Sequence, residues 1–226
     1  MAEAVQPHIE IDEVIGNDLS PIQPPWVPPN VRFEVDDIEA PWVADSPFDF
    51  IFCRYLACCI KDWPKLVNTT FENLNPGGWV EFQDFDLNYY SPDNVLIPES
   101  TSVRQWSDLL LDAARKIGRN PCPGPSLEEW VRDAGFTNVK HELIRIPLGS
   151  WPRDRNLKQI GRYNLAQNLS GLEAFSLRLL CDVQGWSKEE VTVLLAKVRK
   201  EFLTTSFHSM FYFHVVYGQK PAKKKD

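Results

Sequence analysis

The sequence predicts an α/β fold built around a parallel crossover, and three observations carry that prediction. The first is Leu74-Asn75-Pro76-Gly77-Gly78, which reads as a helix end and a sharp turn, followed by the strand Trp79-Val80-Glu81-Phe82. Pro76 lacks the N–H needed to continue a helix, the two glycines allow the positive φ of a tight reversal, and the bulky residues after them favour a strand. The second is Phe48-Asp49-Phe50-Ile51-Phe52-Cys53, a short apolar run closed by Arg54 and lying one helix-length upstream. Two such runs separated by a helix argue for a β-α-β unit. The third is that strand and helix signals alternate along the chain, with two extra helices between the last two strands. Open sheets of this class bind ligands beyond the carboxyl ends of their strands, so Arg54 and Asp84 mark the expected site.

The elements follow in order. Glu13-Val14-Ile15-Gly16-Asn17-Asp18 is a short strand ending in a carboxylate, and Leu19-Ser20-Pro21 turns away from it. Pro21, Pro24, Pro25, Pro28 and Pro29 hold the next segment extended. Val31-Arg32-Phe33-Glu34-Val35 alternates as a half-buried strand and runs into Asp36-Asp37-Ile38-Glu39. Acids at two strand ends suit either ordinary turn chemistry or the hydroxyls of a ligand. Asp62 and Pro64 supply the cap and first-turn proline of a helix from Trp63 to Leu74. After a loop from Ser91 to Pro98, a helix presents Trp106, Leu109, Leu110, Ala113 and Ile117 on one face and is broken by Asn120 to Pro125. Ser126 and Glu129 have the spacing of a capping box for a short helix that stops at Gly135. Val139 to Ile146 alternates as a strand. Asp154 to Val183 is helical, with a break expected near Ser170-Gly171. Ser187 and Glu190 repeat the capping box before a helix whose apolar face is Val191, Leu194, Leu195, Val198 and Phe202. Phe207 to Tyr217 reads as a long final strand that carries both His208 and His214.

With 226 residues the chain is expected to form one domain with a buried core. A net charge of −7 argues against binding nucleic acid, which needs a basic surface. Lys223-Lys224-Lys225, within the tail 221–226, is the one basic cluster; it reads as solvated, with nuclear import the weaker alternative. No apolar run reaches the ~18 residues of a membrane span, and Met1 to Asp12 is too acidic for a signal peptide. Five cysteines without a Cys-x-x-Cys pattern fit a reduced, intracellular and cytoplasmic setting and no structural zinc.

Taken together, the motifs Val14-Ile15-Gly16-Asn17-Asp18-Leu19-Ser20-Pro21, Phe33-Glu34-Val35-Asp36-Asp37, Lys61-Asp62-Trp63-Pro64 and Asn75-Pro76-Gly77-Gly78-Trp79 resemble the class I S-adenosylmethionine-dependent methyltransferases. Gly161-Arg162-Tyr163-Asn164-Leu165, Gly185-Trp186-Ser187-Lys188-Glu189-Glu190 and Val216-Tyr217-Gly218-Gln219-Lys220-Pro221 narrow the resemblance to the fungal LaeA-like branch. The likeness runs from about Glu13 to Pro221. It implies a Rossmann-like sheet whose last strand is antiparallel, and S-adenosylmethionine as cofactor. It further implies that Asp18 holds the cofactor ribose, that Asp37 and the Ile38 backbone meet the adenine, and that Arg54 stands toward the methionine end and the acceptor. The helical insertion 154–203, with Tyr163 and Asn164, would roof a small-molecule acceptor pocket. Asp84 and Asp86 suit either an acceptor hydroxyl or a solvated strand end equally, and His208 is a candidate general base set against the plainer reading of a buried, hydrogen-bonded histidine. The branch is associated with tailoring or regulation of secondary metabolism.

One element of the family pattern is missing. The first, central strand and its Gly-x-Gly-x-Gly loop have no counterpart: only Met1 to Asp12, a non-homologous segment, precedes the second strand, and no glycine lies between Gly16 and Gly77. The chain is therefore expected to be an N-terminally truncated form. Losing three loop hydrogen bonds at ~0.5–1.5 kcal/mol each weakens cofactor binding by about 1.5–4.5 kcal/mol, roughly tenfold to a thousandfold. A methyltransferase-family protein whose own catalysis is impaired is the primary reading. The alternatives are a non-methylating pocket protein or helper, and an interaction partner of a full-length relative. The missing strand also predicts that Phe48 to Cys53 has an unpaired edge, along which His8 to Ile11 could lie, to which the second strand could move, or through which the chain could form a homodimer.

Overall fold

The computed structural model describes residues 13–24, 26–43, 46–93, 95–204 and 208–223. His8 to Ile11, Phe207 and Lys224-Lys225 lie outside the described residues. The chain divides into two compact units, Met1–Ala44 and Asp45–Asp226.

In the first unit β1 (Val14–Asp18) pairs in parallel with β2 (Val31–Val35), so that Asp18 stands opposite Val35. Gly16 is the seat of the Phe33 ring, since a Cβ there would stand 2.4 Å from it. No described residue of this unit is fully buried.

The second unit holds a four-stranded sheet ordered β3 (Phe48–Arg54), β4 (Leu74–Tyr90), β6 (Ser209–Gln219), β5 (Thr137–Leu148). β3 is parallel to β4, and β6 is antiparallel to both β4 and β5, as the α/β reading with an antiparallel last strand requires. Among the described residues β1 and β2 form a two-stranded sheet of their own.

Alternation on β4 sorts the residues of the sheet. Val80, Phe82, Asp84 and Asp86 are buried on one face with Val216 and His214 of β6. Helices α1 (Trp63–Asn73) and α3 (Leu127–Asp133) pack there: Trp63 stacks on Trp130, Phe71 meets Phe136 edge-on, and Val131 closes on Gly218. The opposite face divides. Toward its end, Phe85, Phe211 and Ile146 pack against a cluster from α2 (Ser102–Lys116), α4 (Arg155–Arg178) and α5 (Lys188–Phe202). Toward its start, Phe50 (56% exposed), Trp79 (36%) and Tyr217 border an open depression of about 340 Å³, and Phe52 is 46% exposed.

Several local expectations are corrected. The turn after α1 is absorbed into β4, which begins at Leu74; the register jumps from Phe48–Leu74 to Phe50–Trp79, so Asn75 to Gly78 form a bulge. Only Gly77 has positive φ (+89°), whereas Gly78 is needed for close approach, a Cβ there standing 3.0 Å from the Asp49 carbonyl oxygen. Ile117 lies past the end of α2 and is 48% exposed. Ser126 caps nothing, because a 3-10 turn, Gly124–Ser126, already leads into α3. α4 runs unbroken through Ser170-Gly171 and widens into a π turn only at Leu179–Val183. One glycine costs a helix only ~1 kcal/mol, and the space left at Gly171 is taken by the Phe175 ring.

Candidate functional site

The first unit brings two carboxylates to neighbouring ends of parallel strands. Asp18 Oδ1 accepts a hydrogen bond from the Ser20 N–H (2.9 Å), and Asp37 Oδ1 accepts from the Glu39 N–H (2.9 Å). Both therefore perform the turn chemistry anticipated for them, while their side chains stay half-buried and exposed respectively. The Ile38 carbonyl accepts from Trp42 Nε1 (2.9 Å).

In the second unit the carboxyl ends of β3 and β4 adjoin. Arg54 is exposed, with its guanidinium 4.9 Å from the Tyr55 ring and 5.7 Å from the Phe52 ring. Tyr55 takes positive φ (60°) and stacks flat on Phe85, 5.2 Å between centroids. Asp84 is 1% exposed and ties this loop down: its carboxylate accepts from the Leu56 N–H (2.7 Å), the Phe85 N–H (2.8 Å) and the Ala57 N–H. Burial nonetheless pushes its carboxyl up to about 6, against those three donors. It lies within β4, which runs on to Tyr90, and not beyond the strand end as expected, and its hydrogen-bonding capacity is directed at the loop after β3.

The remaining anticipated residues are dispersed. Tyr163 on α4 is 70% exposed, beside Arg155, Lys158 and Arg162 on an open surface groove. Asn164 faces inward, donating to the Pro147 carbonyl (2.9 Å) and accepting from Asn168 Nδ2 (3.0 Å). His208 precedes β6 rather than lying on it, is exposed, and stacks on Trp151 at 5.3 Å.

Strand register, invisible in the sequence, assembles a polar group that the motifs did not flag. His214 of β6 lies directly opposite Asp84 of β4. Its Nδ1 is 2.8 Å from His141 Nε2, and His141 Nδ1 is 3.0 Å from Glu128 Oε2. In the tautomer in which His141 Nδ1–H donates to Glu128 and His214 Nδ1–H donates to His141 Nε2, His214 Nε2 is a bare acceptor. That atom is buried with no hydrogen-bond partner. Burial, and then His141, hold the His214 imidazole down at about 4, with Asp86 opposing. Gly124 permits the close cover, since a Cβ there would lie 2.5 Å from the His214 ring. Alongside, Asp86 accepts from the Tyr90 hydroxyl (2.6 Å) and from Asn88 Nδ2 (2.6 Å), and Asn88 also reaches Cys122 Sγ (3.6 Å). Burial first, and then Asp86, raise the Tyr90 phenol. In that tautomer Glu128, His141 and His214 are joined by two N–H donors, one from each ring, and burial keeps the innermost ring neutral. Among the described residues no group of three or more ligand-type side chains could hold a metal ion, and no helix is long and apolar enough to cross a membrane.

A family model described as a methyltransferase domain matches residues 1–141. Methyltransferase pytC of Aspergillus terreus is 47% identical over 208 residues, covering 92% of this chain and 64% of pytC. The probable methyltransferase tdiE of Emericella nidulans is 34% identical over 210 residues, covering 92% of this chain and 65% of tdiE. The secondary metabolism regulator LAE1 of Cochliobolus heterostrophus is 33% identical over 214 residues, covering 92% of this chain and 69% of LAE1. The chain spans somewhat under two thirds of the length of the first two. Among solved structures, phosphoethanolamine N-methyltransferase 2 of Haemonchus contortus aligns with 85% of this chain and 38% of its own, at a TM-score of 0.49 and 17% identity. A domain match over more than half the chain, with relatives at a third to a half identity along nine-tenths of it, is decisive: the chain belongs to the methyltransferase family.

Proposed function

We propose that the protein serves fungal-type secondary metabolism as an S-adenosylmethionine-dependent methyltransferase-family protein acting on a small organic acceptor. The observation that carries this reading is the pair of carboxylates, Asp18 and Asp37, at adjacent ends of the parallel strands β1 and β2. Each keeps one oxygen available beyond its turn hydrogen bond, which suits the hydroxyl and amino donors of an adenosine. The names of the relatives, two methyltransferases and a regulator of secondary metabolism, support the same setting.

The methionine side of the cofactor fits less well. Close backbone approach to a bound ligand calls for glycine, and none occurs between Gly16 and Gly77. Gly16 itself is closed over by Phe33. No transfer step is therefore derived for this chain. It is expected to show no thermal shift with micromolar S-adenosylmethionine, because a ligand that binds only the native state must raise stability. A saturating shift that Asp18→Ala and Asp37→Ala weaken would instead establish a complete cofactor site. The reading as a whole is tested by deleting the gene in its host and comparing metabolites. A change in the host's methylated secondary metabolites is the expected result, and an unchanged profile overturns it.

A further inference from the structure

Glu128, His141 and His214 tie three elements together, because Glu128 belongs to α3, His141 to β5 and His214 to β6. The two histidines share one face of neighbouring strands, with ring centroids 5.0 Å apart and facing nitrogens 2.8 Å apart. A hydrogen bond at that distance needs one nitrogen to donate and the other to accept. With this contact intact, the four ring nitrogens carry at most three protons, which is one positive charge on the pair. The outer ring can take that charge, because His141 Nδ1 is 3.0 Å from Glu128 Oε2. Arg132, and then His141, hold the Glu128 carboxyl below its ordinary range, so it stays an anion. A second charge sets N–H against N–H across the contact. It also leaves a proton on His214 Nε2, which is buried and finds no acceptor among the described residues.

We infer that this pair is an acid-operated latch: a second proton breaks the His141–His214 hydrogen bond and releases α3, with the turn Gly124–Ser126 that leads into it, from β5 and β6. The turn must lift for that proton to meet water, because Gly124 lies so close over the His214 ring that a Cβ would stand 2.5 Å from it. α3 has seven residues and no side-chain cap, so it holds its shape through its contacts with the sheet. Around the pair, α3 presents Glu128, β4 presents Asp84 and Asp86, and Cys122 stands before the turn. Arg145 of β5 and Tyr212 of β6 occupy the next positions on the same face. Of these, Asp86 favours a charged His214, but burial and then His141 outweigh it and hold the imidazole down at about 4. A ring lowered in this way favours the closed form at neutral pH, and that preference is lost as pH falls from about 6.5 toward 4.

Hydrogen exchange on the 226-residue chain reads the opening. Opening lets one more imidazole titrate near its ordinary value, so protection of the Val131 and Arg132 amides, corrected for intrinsic rates, should fall roughly 40-fold from about pH 6.5 to 4.5. The amides of Leu194 and Leu195 in α5, which the latch does not hold, should change little. His214→Asn keeps an amide N–H for His141 Nε2, or turns over to offer its oxygen to a charged His141, and cannot itself become a cation. In this variant the fall should disappear. Nitrogen NMR shifts of the imidazoles give an independent reading in the parent: at most one ring is charged while α3 is protected, and both are charged once it is not. Unchanged α3 protection, an equal loss in α5, or a fall that persists in His214→Asn overturns the proposal. So do two imidazolium rings beneath a fully protected α3, and that reading decides alone if the variant does not fold.

Discussion

Asp84 and His214 face each other across β4 and β6, and burial shifts them in opposite directions, the carboxyl up to about 6 and the imidazole down to about 4. Their effects on stability oppose each other. A carboxyl raised above its unfolded value near 3.9 stabilises the native state at low pH, and that contribution is lost as pH rises through about 6. An imidazole lowered from about 6.5 stabilises it at higher pH, and that contribution is lost as pH falls toward about 4. Each shift of roughly two units corresponds to about 3 kcal/mol, so between pH 4 and 6 the two slopes nearly cancel. Asp84→Asn should uncover the histidine, with unfolding free energy falling by about 3 kcal/mol from pH 6.5 to 4. His214→Gln should uncover the carboxyl, with stability rising as pH falls from 6 to 4. Urea unfolding at a series of pH values reads both slopes, and parallel pH profiles in parent and variants would show that neither shift exists.

Among the elements, the two predicted capping boxes give a controlled comparison. At α5 the box is complete: Ser187 Oγ accepts from the Glu190 N–H, and Glu190 Oε2 accepts from the Ser187 N–H at 2.8 Å. At α3 the same spacing makes no side-chain cap, because the 3-10 turn Gly124–Ser126 has already begun the helical winding. Ser187→Ala should therefore cost about 1 kcal/mol in chemical unfolding, and Ser126→Ala should cost nothing measurable. Equal losses would show that Ser126 caps in solution. α5 also illustrates how firmly periodicity is written: all five residues of its anticipated apolar face are buried, each worth ~1.5–3 kcal/mol.

The second unit is well filled, whereas no described residue of the first is fully buried. A two-stranded sheet by itself is marginal in water. Backbone amides of Ile15 to Asp18 and Arg32 to Val35 should exchange far faster than those of Val80 and Phe82, which lie in the centre of the four-stranded sheet. Equal protection in both units, measured by hydrogen exchange, would contradict this. The sequence by itself determined the elements: six strands, five helices and most of their ends follow from periodicity, caps and prolines, which act over a few residues. The ends of β1, β2 and β3, at Asp18, Val35 and Arg54, were also legible, because a strand end is a local event, whereas Asp84 lies within β4 and not at its end. The tertiary structure alone decided that Asp84 is occupied by the loop after β3 and that His208 stands off the strand. It also brought Glu128, His141 and His214 into one chain of hydrogen bonds. Those outcomes depend on which residues of distant strands pair and at what register, and a shift of one residue would turn His214 to the opposite face of the sheet.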